Sequence, residues 1–142
     1  MIIALNNGGE EERRRAATAT AAVVKAGYCV ITPTDTVYGL ACAAFVPGGG
    51  PLRLWRGPAE GMAALKRRAT HQPFIVLAAG WQEATLLTTD DLGPIRGFCE
   101  GAPWPVTAVV NAREDWGPPW VDDRGAIAFR VPRFSFIREL LA

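Results

Sequence analysis

The order of apolar and polar positions divides the chain into alternating helical and extended segments. Residues 9–26 predict a helix. Glu10, Glu11 and Glu12 stand in its first turn, where negative charge suits the helix dipole, an Ala-rich stretch follows, and Gly27 stands where a C-terminal cap belongs. The run YCVIT, 28–32, is short, apolar and β-branched, which predicts a buried strand that Pro33 ends. Residues 36–44 read as a turn and a second strand. Residues 46–58, VPGGGPLRLWRGP, hold too many breakers for a helix, and a short helix is expected over 59–69 with Lys66, Arg67 and Arg68 in its last turn. Strands are expected at 74–78 (FIVLA), 106–111 (VTAVVN) and 126–131 (AIAFRV), and short helices at 81–87 and 92–99. Residues 112–124 read as a polar, Trp- and Pro-bearing loop. Pro132 is expected to open a final helix at its favoured first position. Strands alternating with helices give an α/β or α+β class, with helices packed on a mixed sheet.

Composition narrows the function. The chain has 142 residues, 49% hydrophobic and 20% charged, with a formal net charge of +1. That is one domain with enough chain for a core, and the neutral balance argues against a protein that coats nucleic acid by bulk charge. No apolar run approaches the roughly 18 residues of a membrane span, and no basic region precedes the short apolar run at the N-terminus, so neither a membrane partner nor a secretory signal is expected. Thirteen Arg stand against two Lys, a genome-composition bias that makes each Lys worth attention. Cys29, Cys42 and Cys99 have no C-x-x-C spacing and suit free thiols in a reducing, cytoplasmic setting better than disulfides or a metal site. A single His, His71, excludes a cluster of His ligands, and no Walker or dinucleotide-binding glycine motif occurs.

Four stretches could carry chemistry. In TPTDTVYGL, 32–40, three hydroxyl residues surround Asp35, and Gly39 permits close backbone approach. This is either a turn whose Thr and Asp side chains bond their own backbone or a pocket rim for a small polar ligand. In KRRATHQPFIVLA, 66–78, Lys66 and Arg68 could meet one phosphate-bearing ligand if the helix ends right after them and the chain turns toward the strand. The alternative is a solvated helix end. In APWPVTAVV, 102–110, two prolines bracket Trp104 and Thr107 lies early in a strand; the alternative is a rigid loop with a packed Trp. Arg130, inside the apolar AIAFRVPRF, is a charge that must be paired or face a ligand.

Those four stretches, in that order, resemble the YrdC/Sua5 family of threonylcarbamoyl-AMP synthases. The P-T-[DE]-T-x-Y-G-L signature is matched throughout by 33–40. The K-x-R motif with its following Pro and apolar strand is matched by Lys66, Arg68 and 73–76, and the R-x-P strand end by Arg130, Val131 and Pro132. The resemblance implies a YrdC-like fold, a twisted mixed β-sheet with flanking helices around a concave basic cavity. It also implies a nucleotidyltransferase reaction that joins L-threonine, bicarbonate and ATP into threonylcarbamoyl-AMP and pyrophosphate. A partner transferase would then modify adenosine 37 of certain tRNAs to t6A, and double-stranded RNA binding belongs to the same picture. Carried over residue by residue, Thr36 contacts threonine with Thr34 beside it, and Arg130 lies near its carboxylate. Lys66 and Arg68 contact ATP and the forming carbamate as the catalytic pair. Gln72 stands where the family often has an ATP-contacting Asn, and Thr107 matches a nucleotide-contacting Thr. Mg²⁺ would accompany ATP, held mainly by phosphates and water.

The chain departs from the family in three places. Trp104 stands where the family's W-P-G-P-x-T turn has Gly, which is expected to narrow the nucleotide site. The segment between Leu40 and Lys66 is longer and more broken. The family continues past the R-x-P helix to a strand with an S-x-N motif, whereas this chain stops at Ala142, so a single YrdC-like domain over 1–142, cut short at its C-terminus, is expected. The alternative to an active synthase is a truncated or degenerate non-catalytic relative that binds nucleotide, RNA or a protein partner.

Overall fold

The computed structural model describes residues 9–45, 53–67 and 72–142. The glycine run 48–50, Arg68 and His71 lie outside the described residues. Helix α1, Glu10–Lys25, ends as its sequence predicts: Gly27 takes φ +89°, and its amide and that of Tyr28 donate back to Val24 and Val23 carbonyls. Ion pairs four residues apart, Arg14–Glu10 and Arg15–Glu11, lie along its exposed face. Its buried face, Ala16, Ala17 and Thr20, receives Phe136 and Ile137 of α5 (Ser135–Leu141), and Arg13 pairs with Glu139 at 2.9 Å across the same contact. Small side chains on α1 let the two helices approach closely.

Strands β1 (Val30–Thr32) and β2 (Gly39–Ala41) form an antiparallel hairpin, with Val30 opposite Ala41 and Thr32 opposite Gly39. The expectation of a buried strand at 28–32 is corrected here. Only Thr32 is buried; Ile31 is 75% and Tyr28 66% exposed, because no described element covers that face of the two-stranded ribbon. Helix α2, Arg56–Lys66, begins three residues before the sequence suggested, since Gly57 and Pro58 fall in its first turn, where a missing N–H costs nothing. It ends at Lys66, and Arg67 reverses the chain in the left-handed region at φ 48°.

A mixed three-stranded sheet holds the main core. Its order is β3 (Val76–Leu77), β5 (Ala126–Arg130), β4 (Ala108–Asn111), with β5 parallel to β3 and antiparallel to β4. Burial alternates along β5: Ile127 and Phe129 point into the core, while Ala126, Ala128 and Arg130 face the other way. Between β3 and β4 lie α3 (Trp81–Ala84) and α4 (Gly93–Gly101). The polar loop expected at 112–124 is part of the core. Trp116 and Trp120 are buried, pack edge to face at 5.7 Å, and Trp116 donates its indole N–H to the Leu86 carbonyl. Pro132 does not open α5 as expected, because the helix starts three residues later at Ser135, behind an extended Phe134. Among the described residues, no helix is long and apolar enough to cross a membrane.

Candidate functional site

The hairpin, the end of α2 and the end of β5 surround a cavity of about 410 Å³. Thr34 and Thr36 reach it from the turn, Lys66 from the last turn of α2, and Arg130 from the last position of β5. Four residues expected to act together, spread over nearly a hundred positions of chain, therefore share one wall. Met62, Phe74 and Trp120 supply apolar walls.

Each of these side chains is held by an identifiable contact. Thr34 Oγ1 donates to the Val37 carbonyl at 2.6 Å and accepts the Thr36 amide at 3.3 Å, so this hydroxyl organises the turn. Among the described residues, Thr36 Oγ1 meets only Thr34 Oγ1, at a long 3.4 Å, and is the hydroxyl with capacity for a ligand. Asp35 does not bond its own turn. Its Oδ1 accepts the backbone amides of Arg133 and Phe134 at 2.8 and 2.7 Å, which ties the turn to the residues just ahead of α5. The Arg133 guanidinium in turn donates to the carbonyls of Cys99, Glu100 and Ala102 at the end of α4. Gly39 is not demanded by close approach, since an added Cβ would meet only the Thr34 methyl at an ordinary 3.5 Å.

Lys66 Nζ lies 5.8 Å above the Phe74 ring, a cation–π contact that leaves the ammonium exposed. The chain turns at once after Lys66, as a shared ligand would require. Arg130 is half-buried and donates Nε and Nη2 to Thr107 Oγ1 at 3.2 and 2.9 Å; among the described residues no carboxylate pairs with it. Thr107 therefore stands behind Arg130, outside the cavity wall. Gln72 is exposed and also outside the wall. Trp104 is 61% exposed and lines neither this cavity nor the smaller one of about 290 Å³ beyond Arg130, so it does not narrow the site as expected.

Lys25 lines the larger cavity as well, so both lysines of the chain stand on its wall. It was missed as a site residue because a basic residue at a helix end has an ordinary role as a dipole partner; the scarcity of Lys was the available signal. Lys25, Lys66 and Arg130 are cations, and no carboxylate lies among the described lining residues. The cavity thus favours an anion over an apolar floor. No group of three metal-ligating side chains occurs among the described residues. A divalent ion that arrives on a polyphosphate, held by phosphate oxygens and water, is consistent with that wall.

Residues 22–142 match the family model Sua5_yciO_yrdC, described as telomere recombination. A Mycobacterium leprae protein named "Putative threonylcarbamoyl-AMP synthase" is 31% identical over 124 residues, which cover 84% of this chain and 51% of that protein. This chain thus spans about half the length of the curated relative it matches. Among solved structures, a P. abyssi Sua5 variant superposes with a TM-score of 0.76 at 20% identity, over 90% of this chain and 37% of that one. P. abyssi Sua5 complexed with L-threonine gives 0.74 at 20% identity, over 90% and 35%. E. coli YciO gives 0.71 at 18% identity, over 90% and 58%. The mixed sheet and flanking helices are the YrdC-like fold, and the chain belongs to the Sua5/YciO/YrdC family.

Proposed function

We propose that this chain carries the substrate-binding part of a threonylcarbamoyl-AMP synthase, which converts L-threonine, bicarbonate and ATP to threonylcarbamoyl-AMP and pyrophosphate. The observation that carries this reading is the convergence of Thr36, Lys66 and Arg130 on one cavity whose described lining residues include no carboxylate. The curated name of the Mycobacterium leprae relative and the threonine complex of P. abyssi Sua5 support the choice of substrates. In this reading the Thr36 hydroxyl bonds the threonine side chain, and Arg130, held by Thr107, pairs with its carboxylate. The threonine nitrogen attacks the carbon of bicarbonate, water leaves, and a carbamate forms. A carbamate oxygen then attacks the α-phosphorus and the bond to pyrophosphate breaks. Lys66, with Arg68 following it in the chain, offsets the charge gathered on carbamate and phosphates, and Lys25 adds to the same field. Mg²⁺ would enter on ATP and neutralise phosphate charge. The product would pass to a transferase that acts on tRNA, in the cytoplasm.

Pyrophosphate release measured with ATP, bicarbonate, Mg²⁺ and either L-threonine or no amino acid tests the reading. Threonine-dependent release is expected, and Lys66→Ala should abolish it. If there is no release but ATP or threonine still binds in calorimetry, the synthase reading fails and a non-catalytic binding protein replaces it. This chain spans only about half of its curated relative, which makes that second outcome the specific competitor.

A further inference from the structure

The hairpin that carries the hydroxyl turn also carries two thiols. Val30 stands opposite Ala41, so the next pair outward in the same register is Cys29 opposite Cys42. Directly opposed residues of an antiparallel pair have Cα atoms roughly 4.5–5.5 Å apart, inside the range a disulfide spans. Both thiols are free and half-buried. Cys42 is part of the cavity wall, where burial and then the neighbouring Cys29 push its thiol up to about 12, so it is a poor first nucleophile. Cys29 Sγ is 3.6 Å from the Pro58 carbonyl in the first turn of α2, the helix that ends in Lys66. Cys99, the third thiol, is far along the chain and lies on the smaller cavity.

We propose that Cys29 and Cys42 form a redox-active dithiol, closed to a disulfide by exchange with small disulfides. Cys29, as thiolate, attacks the small disulfide and releases one small thiol. Cys42 then gives up its proton as it attacks the Cys29 sulfur of the mixed disulfide and releases the other. Two protein S–H bonds and one small S–S bond are exchanged for one protein S–S bond and two small thiols, so the step is a balanced two-electron transfer. Closure removes the S–H that Cys29 offers to Pro58 and locks the hairpin across its open end. The cavity then has a disulfide in its wall near Lys66. This inference stands on the register of the hairpin and is independent of the synthase reading.

The test uses the whole chain in buffers of hydroxyethyl disulfide and mercaptoethanol at graded ratios, quenched in acid, alkylated and digested with trypsin. Both cysteines fall in one tryptic peptide, residues 26–53, and Cys99 falls in another. The expected result is a 26–53 peptide lighter by two hydrogens, without adduct or alkyl group, which reverts as the thiol ratio rises. Cys42→Ser should leave Cys29 able to form only a mixed disulfide. The proposal is overturned if wild-type 26–53 stays fully alkylated, or carries only mixed disulfides, at ratios where Cys99 has reacted. It is also overturned if urea-unfolded chain closes the pair at the same ratio as the folded chain, since the register would then contribute nothing.

Discussion

Replacing Asp35 by Ala should loosen the whole site from outside it. Asp35 Oδ1 is the acceptor for two amides, those of Arg133 and Phe134, some 98 and 99 positions along the chain. It tethers the two residues that lead into α5 rather than capping the helix itself, whose first residue is Ser135. A hydrogen bond to a charged group contributes about 1.5–3 kcal/mol. Two such bonds at a partly exposed site, screened by water, come to about 3 kcal/mol. Against this, Asp35 Oδ2 is buried without a partner among the described residues, and removing it returns part of that loss, which leaves about 2 kcal/mol net. For a chain of this size that is a fall in Tm of roughly 4–8 °C. Asp35→Asn keeps the Oδ1 acceptor and should lose about half as much. Urea and thermal unfolding measure both variants, and hydrogen exchange at the Arg133 and Phe134 amides locates the change. The reasoning is refuted if Asp35→Ala lies within about 0.5 kcal/mol of wild type, or if those two amides keep their protection.

Gly27→Ala should destabilise by about 2 kcal/mol or more, read in urea unfolding, because Gly27 sits at φ +89° and a Cβ there would lie 2.8 Å from the Trp55 ring. Thr107→Val removes the acceptor of two Arg130 N–H groups without changing shape; ligand affinity in calorimetry should fall about tenfold with little change in Tm. The Asp90 carboxyl is held below its ordinary value, first by the Asn111 backbone amide and then by the Asn111 side chain. A depressed pKa means that its contribution is fully present above the unfolded value and fades as pH falls through the folded one. Asp90→Asn should therefore flatten the loss of stability in unfolding curves taken between about pH 5 and pH 2.

The sequence was most legible where local chemistry decides. The acidic first turn and glycine cap of α1 follow from residues within one turn of each other, and β5 was legible from its apolar run. It was less legible where a distant partner decides. Asp35 has the look of a turn residue and is in fact the acceptor for amides ahead of α5, which no local pattern encodes. Trp116 and Trp120 sit in a polar, proline-rich stretch and are buried through distant contacts, such as Phe45 edge-on to Trp116 at 5.4 Å. Tyr28 and Ile31 carry strand propensity but stay exposed, since propensity does not say what covers a ribbon. At the site, Thr36, Lys66 and Arg130 were found by motif, and Lys25 was masked by its ordinary place at a helix end.

Arg130 explains why these features form one site. It occupies the last position of the central strand, where β5 still pairs with Leu77 of β3 but its pairing with β4 has ended one residue earlier, at Phe129. A guanidinium there could have been neutralised by a carboxylate. Instead a neutral hydroxyl, Thr107, takes two of its N–H groups, which fixes the direction of the side chain and leaves its charge unspent. Arg130 lines both cavities, so that charge acts on each. In the smaller one, Arg133 and Arg138 stand with it, and Asp35 and Glu100 offset two of the three positive charges. In the larger one, Lys25 and Lys66 add to it over an apolar floor. The difference between the two sides of one arginine makes the larger cavity the more favourable place for an anion.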